Sequence, residues 1–386
     1  MRPALLCFAQ LWIALLWFGQ LWFSQAPLSA QNIGIDSHID TMQRVLIDRA
    51  DLTQRSPVGH VDIPRLRAGG VNAPFFALWV PTYYKGSEAI RRTLDLRDAA
   101  QRLFDTHPEQ IALALTAADV ERITRSGRIA AILTVEGGHQ IDDDLGVLRM
   151  YYRLGIRSMT LTHFRHHNWA DSSTDAPVHN GLTEFGKDVV REMNRLGMIV
   201  DISHVSDKTF YDVLAVTAKP VIASHSSCRE ISDVPRNMTD DMIRALAKNG
   251  GVIGINFGEG FLNPKDAETL KASITRIAEE PTLVGKALDE YADKQQREGE
   301  MSKPVTYATL DDAVAHIDHA VKIAGIDHVG IGSDFDGISA PPKGLEDISK
   351  MPALAAALRK KGYSDPDIRK IFGGNTLRVL REVTGK

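Results

Sequence analysis

Two cysteines in 386 residues are too few for a disulfide framework. Cys7 lies in an N-terminal apolar run and Cys228 is left alone, so the fold must be held by its core, helped by any metal it binds. An excess of either charge is also missing: 45 Lys and Arg face 49 Asp and Glu, for a formal net charge of -4. Nucleic acid and anionic membrane surfaces are therefore not expected partners, and a small molecule is. No Gly-rich phosphate fingerprint follows the first strand-like run, which argues against an open nucleotide-binding sheet. Internal repeats and low-complexity linkers are lacking too, so one domain over residues 31–386 is the economical reading.

The first thirty residues read as a secretory signal peptide: Arg2, the run "ALLCFAQLWIALLWFGQLWF", Pro27, and a small-residue end "LSA" before Gln31. The mature chain is expected to begin near Gln31 and to be periplasmic or extracellular. The alternative is an uncleaved anchor, since the run nearly reaches the ~20 residues of a spanning helix. A membrane would be a partner only in that case.

With 44% hydrophobic and 24% charged residues, the remainder can bury a large core. Eight short apolar runs alternate with stretches of helical periodicity: "NIGIDSH", "GGVNAPFFALWV", "GRIAAILTVEGG", "GIRSMTLTH", "GMIVDISH", "KPVIASH", "GGVIGINF" and "DHVGIGSD". Buried strands alternating with helices predict a parallel sheet covered on both faces, and eight such units predict an α/β fold of the closed (β/α)8 TIM-barrel type. An open doubly wound sheet is the competing architecture. Residues 262–306, polar and mostly helix-forming, interrupt the rhythm between the seventh and eighth runs. They are read as a helical insertion at the strand-end side, a lid or an oligomer surface, because so long a structureless loop would be unusual. A homodimer is left open.

Active sites of such barrels lie at the C-terminal strand ends, and here those ends are loaded with polar residues. The first run ends in His38 and Asp40, the third in Glu136, the fourth in His163, the fifth in His204, the sixth in His225 and the eighth in Asp334. A single strand-end histidine is ordinarily a hydrogen-bonded structural residue; six strand ends acting together point to a site. Imidazoles and carboxylates without thiolate suit a borderline divalent metal, zinc first, with manganese or cobalt as alternatives. Three carboxylates cannot share a barrel mouth without shifting one another's pKa strongly unless cations neutralise them, and two zinc ions with one hydroxide bring the charge to zero. That favours two metals and hydrolysis.

The motifs "GIDSHID", "GHVDIPRLRAGGV", "TVEGGHQI", "MTLTHFRHHNWADS", "NRLGMIVDISHVS", "VIASHSSCREISDVPRN" and "VGIGSDFDG" closely resemble those of the renal, or membrane, dipeptidase family of binuclear zinc peptidases, from about residue 33 to the C-terminus. The resemblance implies a (β/α)8 barrel in which His38, Asp40 and Asp334 hold one zinc with Glu136, His204 and His225 hold the other, and Glu136 bridges the pair. It further implies that His163 contacts the substrate carbonyl and that Arg236, in "PRN", grips the substrate's free carboxylate. The expected reaction is hydrolysis of dipeptides, L-Xaa-D-Xaa dipeptides among the candidates, by a metal-activated bridging hydroxide with Asp334 as acid and base. Where several relatives place a substrate-contacting tyrosine, ungapped counting arrives at Phe261.

His139 is expected to satisfy backbone at a helix start; His166, His167 and His179 sit in a polar loop without ligand geometry, and Asp336 is read as an acceptor supporting the ligands. Two other readings compete. Barrel hydrolases of the cyclic-amidase, lactonase or deaminase type usually show His-x-His at the first strand and often a carboxylated lysine, whereas this chain has His-x-Asp and Glu136. A non-catalytic exported binding protein would have had no reason to keep every expected ligand.

Overall fold

The computed structural model describes residues 33–258, 260–268, 270–271, 281–301 and 305–385. The predicted signal peptide lies outside the described residues, as do parts of the predicted insertion. No helix among the described residues is long and apolar enough to cross a membrane.

Among the described residues there are eight parallel strands: β1 (Phe75–Trp79), β2 (Ile111–Leu113), β3 (Ile129–Glu136), β4 (Ile156–Thr160), β5 (Ile199–Asp201), β6 (Ile222–Ser226), β7 (Val252–Ile255) and β8 (Val329–Ile331). The sheet runs β1-β3-β4-β5-β6-β7-β8, with β2 paired to β3 off this path. β3 shows why: all eight of its residues are buried, as expected of a central parallel strand covered on both faces. The covering helices are amphipathic and punctuated. Helix Glu184–Leu196, for example, starts at Thr183, whose side chain accepts from the Gly186 amide, and stops at Gly197 in a left-handed conformation.

The architecture is the predicted TIM-like barrel, with two departures in detail. The three-residue β2 is too short to stand out in the sequence. The first apolar run, by contrast, makes no continuous ladder, although it occupies the closing stave. Ile39 bridges Phe76 on one side and Phe335 on the other. Around it, Phe75 N donates to Asp36 O and Ser37 N to Ile331 O. Asp36 explains the irregularity: its Oδ1 accepts from the amides of His38 and Ser333, at 3.2 and 2.9 Å, so a side chain replaces ladder bonds.

The predicted insertion contains helix Gly285–Met301. Leu288 and Ala292 are buried, while Asp289 receives hydrogen bonds from Tyr84 Oη and Arg91 Nη2, both at 2.8 Å. Arg92 pairs with Asp293 at 2.5 Å and Arg297 with Asp48 at 2.9 Å. The helix is thus fastened to the connection after β1 and to the long helix Ser87–Thr106, over the mouth of the barrel.

Close approach inside the barrel demands glycine. A Cβ on Gly332 would lie 1.7 Å from Ser224 O, and one on Gly254 would lie 2.2 Å from the same oxygen. Ser37 Oγ lies 2.6 Å from that carbonyl and 2.8 Å from Ile331 O, which ties three staves together. Gly332→Ala must therefore displace main chain next to His225. It should lower the unfolding free energy by about 3 kcal/mol or more in urea titration; an unchanged midpoint would show that the staves tolerate wider spacing.

Candidate active site

The polar strand ends converge on Glu136, the last residue of β3. Its Oε1 lies 3.0 Å from His204 Nε2 and 3.3 Å from His225 Nε2, and its Oε2 lies 3.4 Å from His38 Nε2. His163 Nε2 stands further off, 3.9 Å from Oε1. His38 Nε2 is 3.5 Å from Asp40 Oδ2, and the Nε2 atoms of His204 and His225 face each other at 2.9 Å. Asp334, half-buried, is held by Asn256 Nδ2 at 3.0 Å. His204 and Asp334 have positive φ, 69° and 63°, which is uncommon for residues with a Cβ. At these strand ends the turned backbone accompanies side chains directed into the mouth.

Three overlapping groups bring ligand atoms within 4.8 Å of one another: His38, Glu136 and His225; Glu136, His163 and His204; His38, Asp40 and Asp334. All nine sequence-predicted site residues come together, because Arg236 and Phe261 line the same cleft as Asp40, Glu136, His163, His204 and Asp334, and His38 and His225 touch Glu136. The cleft has a volume of about 170 Å³ and is open to solvent.

The electrostatics indicate what the groups need. Burial and the neighbouring Asp40 carboxylate push the Asp334 carboxyl well above the usual carboxylate range. Glu136 is held well below it despite burial, because His38 and His163 crowd it, and His38 is in turn held well above the usual imidazole range, Glu136 and Asp40 outweighing the burial that opposes this. Burial keeps His204 and His225 well below that range, hence neutral and able to donate a lone pair. Both ring nitrogens of His38, Asp40 Oδ1 and His204 Nδ1 are buried without a hydrogen-bond partner among the described residues. Such groups call for a cation, and the donor set of imidazole and carboxylate fits a divalent metal.

Arg236 comes from the loop after β6. It is 3% exposed, donates from Nη2 to His225 O at 3.1 Å, and stacks 5.0 Å from the Phe261 ring. Its Nε and Nη1 have no partner among the described residues, and burial lowers its pKa to about 10, so it is charged and ready for an anion.

Comparison with known proteins accords with this geometry. The family described as membrane dipeptidase, peptidase family M19, matches residues 24–385. The chain belongs to the membrane dipeptidase family. It is a metallo-dipeptidase, which sets aside the other barrel hydrolases and the non-catalytic reading. The dipeptidase verJ of Clonostachys rogersoniana is 37% identical over 337 residues, covering 84% of this chain and 76% of that one. The solved structure of dipeptidase AC, from the same peptidase family, has a TM-score of 0.75 at 27% identity, covering 92% of this chain and 99% of the other. A metallopeptidase of Rhodobacter sphaeroides, solved with a phosphinate mimic of the dipeptide L-Ala-D-Ala, has a TM-score of 0.73 at 26% identity, over 91% and 99% of the two chains.

The three loop histidines have structural partners in this family member, whereas both ring nitrogens of His139 are buried without a hydrogen-bond partner among the described residues, so the backbone hydrogen bond expected at the helix start is not made. His167 Nε2 contacts Leu161 O at 2.7 Å, His179 Nε2 contacts His167 O at 2.9 Å, and His166 Nδ1 pairs with Asp175 at 2.8 Å. Asp336 accepts from Thr41 Oγ1 at 2.7 Å, Arg44 Nη1 at 3.3 Å and the His60 amide at 2.5 Å, fixing the segment that carries Asp40.

Asp201 escaped the sequence reading. Fully buried, it accepts from Thr160 Oγ1 at 2.6 Å, the Ser203 and Ser224 amides at 3.0 Å, and Ser224 Oγ at 2.5 Å. Ser224 Oγ lies 2.7 Å from His225 Nδ1, so Asp201 orients His225 through a hydroxyl. "IVDISH" followed by "VIASHSS" carried the signal: an aspartate at the end of one strand facing serines on the next. Partners of this kind set imidazole orientation and metal affinity. Asp201→Asn should weaken metal retention by 10- to 100-fold, read by competition with a chromogenic chelator, with the fold preserved; unaltered retention would reduce Asp201 to a barrel strut.

Proposed function

We propose that this metallo-dipeptidase hydrolyses dipeptides with a free C-terminal carboxylate, those with a D-residue at the C-terminal position included, and that it works with two zinc ions. His38, Asp40 and Asp334 would hold one ion, His204 and His225 the other, and Glu136 both. Glu136 supports the assignment by presenting one oxygen to His38 and the other to His204 and His225. Bound there, the ions would supply Lewis acidity, polarising the scissile carbonyl and bringing a shared water toward hydroxide near neutral pH.

The protein's own groups would do the rest. The unpaired Nε and Nη1 of Arg236 offer the substrate carboxylate a charge-assisted, fork-shaped contact in a buried setting. His163, which burial pulls down to about 4, is neutral and can donate one N–H to the developing oxyanion. Asp334, whose half-buried carboxyl is the most basic of the three acids, would take the water's proton and deliver it to the leaving amine. A C-terminal D-residue is compatible with this arrangement because recognition rests on the carboxylate. The N-terminal run is read as an export signal cleaved near Gln31.

The single observation carrying this reading is the buried, half-unpaired guanidinium beside the carboxylate and imidazole cluster. Two tests follow. Purified protein loaded with zinc should bind close to two equivalents per chain, because three carboxylates need two dications for neutrality; elemental analysis giving one or fewer would remove the binuclear assignment. Arg236→Ala should lower kcat/KM for a free-acid dipeptide by roughly 30-fold or more, the loss expected when one partner of a buried charge pair is removed. The C-terminally amidated dipeptide should be nearly insensitive. Equal slowing of both substrates, at equal zinc content, would make Arg236 a structural residue.

A further inference from the structure

The insertion helix reaches the wall of the cleft that faces Arg236. Eight staves form the barrel in the order 33–40, β1, β3, β4, β5, β6, β7, β8. Arg236 follows β6, and Tyr83 follows β1, four positions round a ring of eight. The two therefore stand on opposite sides of the mouth, with Glu136 and His163 on the arc between them. Helix Gly285–Met301 is fastened on the β1 side through Asp289 and Asp293. It presents Tyr291, Gln295 and Gly299 to the cleft at i, i+4 and i+8, one face of a helix. Tyr291 meets Tyr83 edge to face, ring centres 5.7 Å apart.

On the reading given above, a substrate whose carboxylate sits on Arg236 and whose scissile carbonyl lies over Glu136 and His163 sends its N-terminal residue across to this wall. We propose that Tyr83, Tyr291 and Gln295 form the pocket for the N-terminal side chain and select bulky, uncharged, especially aromatic residues there. The wall is aromatic and amide in character. The charges behind it are already matched, Asp289 by Arg91 and Tyr84, Asp293 by Arg92, so a charged side chain would lose hydration without gaining a counter-ion. An aromatic ring would find two tyrosine rings and an amide edge. The inference rests on the dipeptidase reading and adds the substrate class to it.

The test uses the full chain at equal metal content with L-dipeptides that hold the C-terminal residue constant: Phe-Ala, Ala-Ala, Glu-Ala and Lys-Ala, plus Ala-Phe. Wild type should prefer Phe-Ala over Ala-Ala in kcat/KM by on the order of tenfold or more, the range of side-chain discrimination by an apolar pocket, with Glu-Ala and Lys-Ala no better than Ala-Ala. Tyr291→Ala should bring the Phe-Ala to Ala-Ala ratio toward one and leave the Ala-Phe to Ala-Ala ratio where it was. Tyr291→Phe should retain the preference. Tyr83→Ala, on a separate element, should reproduce the loss, which keeps the test valid if the helix itself is disturbed. Both ratios falling together, or the Ala-Phe ratio falling alone, would overturn the assignment. Turnover indifferent to the N-terminal side chain in wild type would sink this inference alone; no turnover of any of the five dipeptides would sink the dipeptidase reading with it.

Discussion

Mutual repulsion among Asp40, Glu136 and Asp334 is the constraint on which the rest of the molecule depends. Three carboxylates and four imidazoles brought from six staves into a largely buried space form a cluster whose members shift one another's protonation, Asp334 upward and Glu136 downward. The surrounding structure is arranged to hold them there regardless. Asp36, Asp201 and Asp336 each gather amides or hydroxyls from neighbouring staves, so the segments bearing the cluster cannot relax apart. Gly254 and Gly332 let the main chains of β6, β7 and β8 approach closely beneath it. The barrel works as a clamp, and the charge it confines is what a dication needs.

Much of this was legible in the sequence because a parallel barrel converts strand ends into neighbours. Polar residues that close apolar runs, such as His163 in "LTH" and His225 in "ASH", are distant in sequence, yet the fold leaves them nowhere to go but the mouth. Glu136 could be placed for the same reason: an unbroken buried strand delivers it there. The motif resemblance then distributed roles that geometry by itself leaves open, as with His163, which stands within reach of the carboxylate cluster but at its outer edge.

What stayed hidden depends on pairings between side chains and on where a long connection lands. The run "NIGIDSH" alternates like a regular strand, and only the capture of two amides by Asp36 converts its ladder into isolated bridges. Asp201 reads as one more aspartate until Ser224 and His225 are seen against it. The polar, helix-forming stretch after β7 announces a helix, but its composition does not say that Asp289 will meet Tyr84 and Arg91. Phe261 was found in the cleft as expected, with a partner no spacing could supply, the face of the Arg236 guanidinium.

That last helix also bears on the order in which the molecule assembles. Tyr84 and Asp289 are 205 residues apart in the chain, and Asp48 and Arg297 nearly 250. Contacts of such separation carry the full entropy of closing those loops, and they are rewarded only when the intervening staves have already paired. The metal-binding floor carries the same demand, because the amide of Asp334 closes onto His38 O across a still longer stretch of chain, so floor and wall are expected to form together as the barrel shuts. Cation site and cleft wall would then appear in one cooperative step, since Asp334 enters the chain only after the helix that builds the wall.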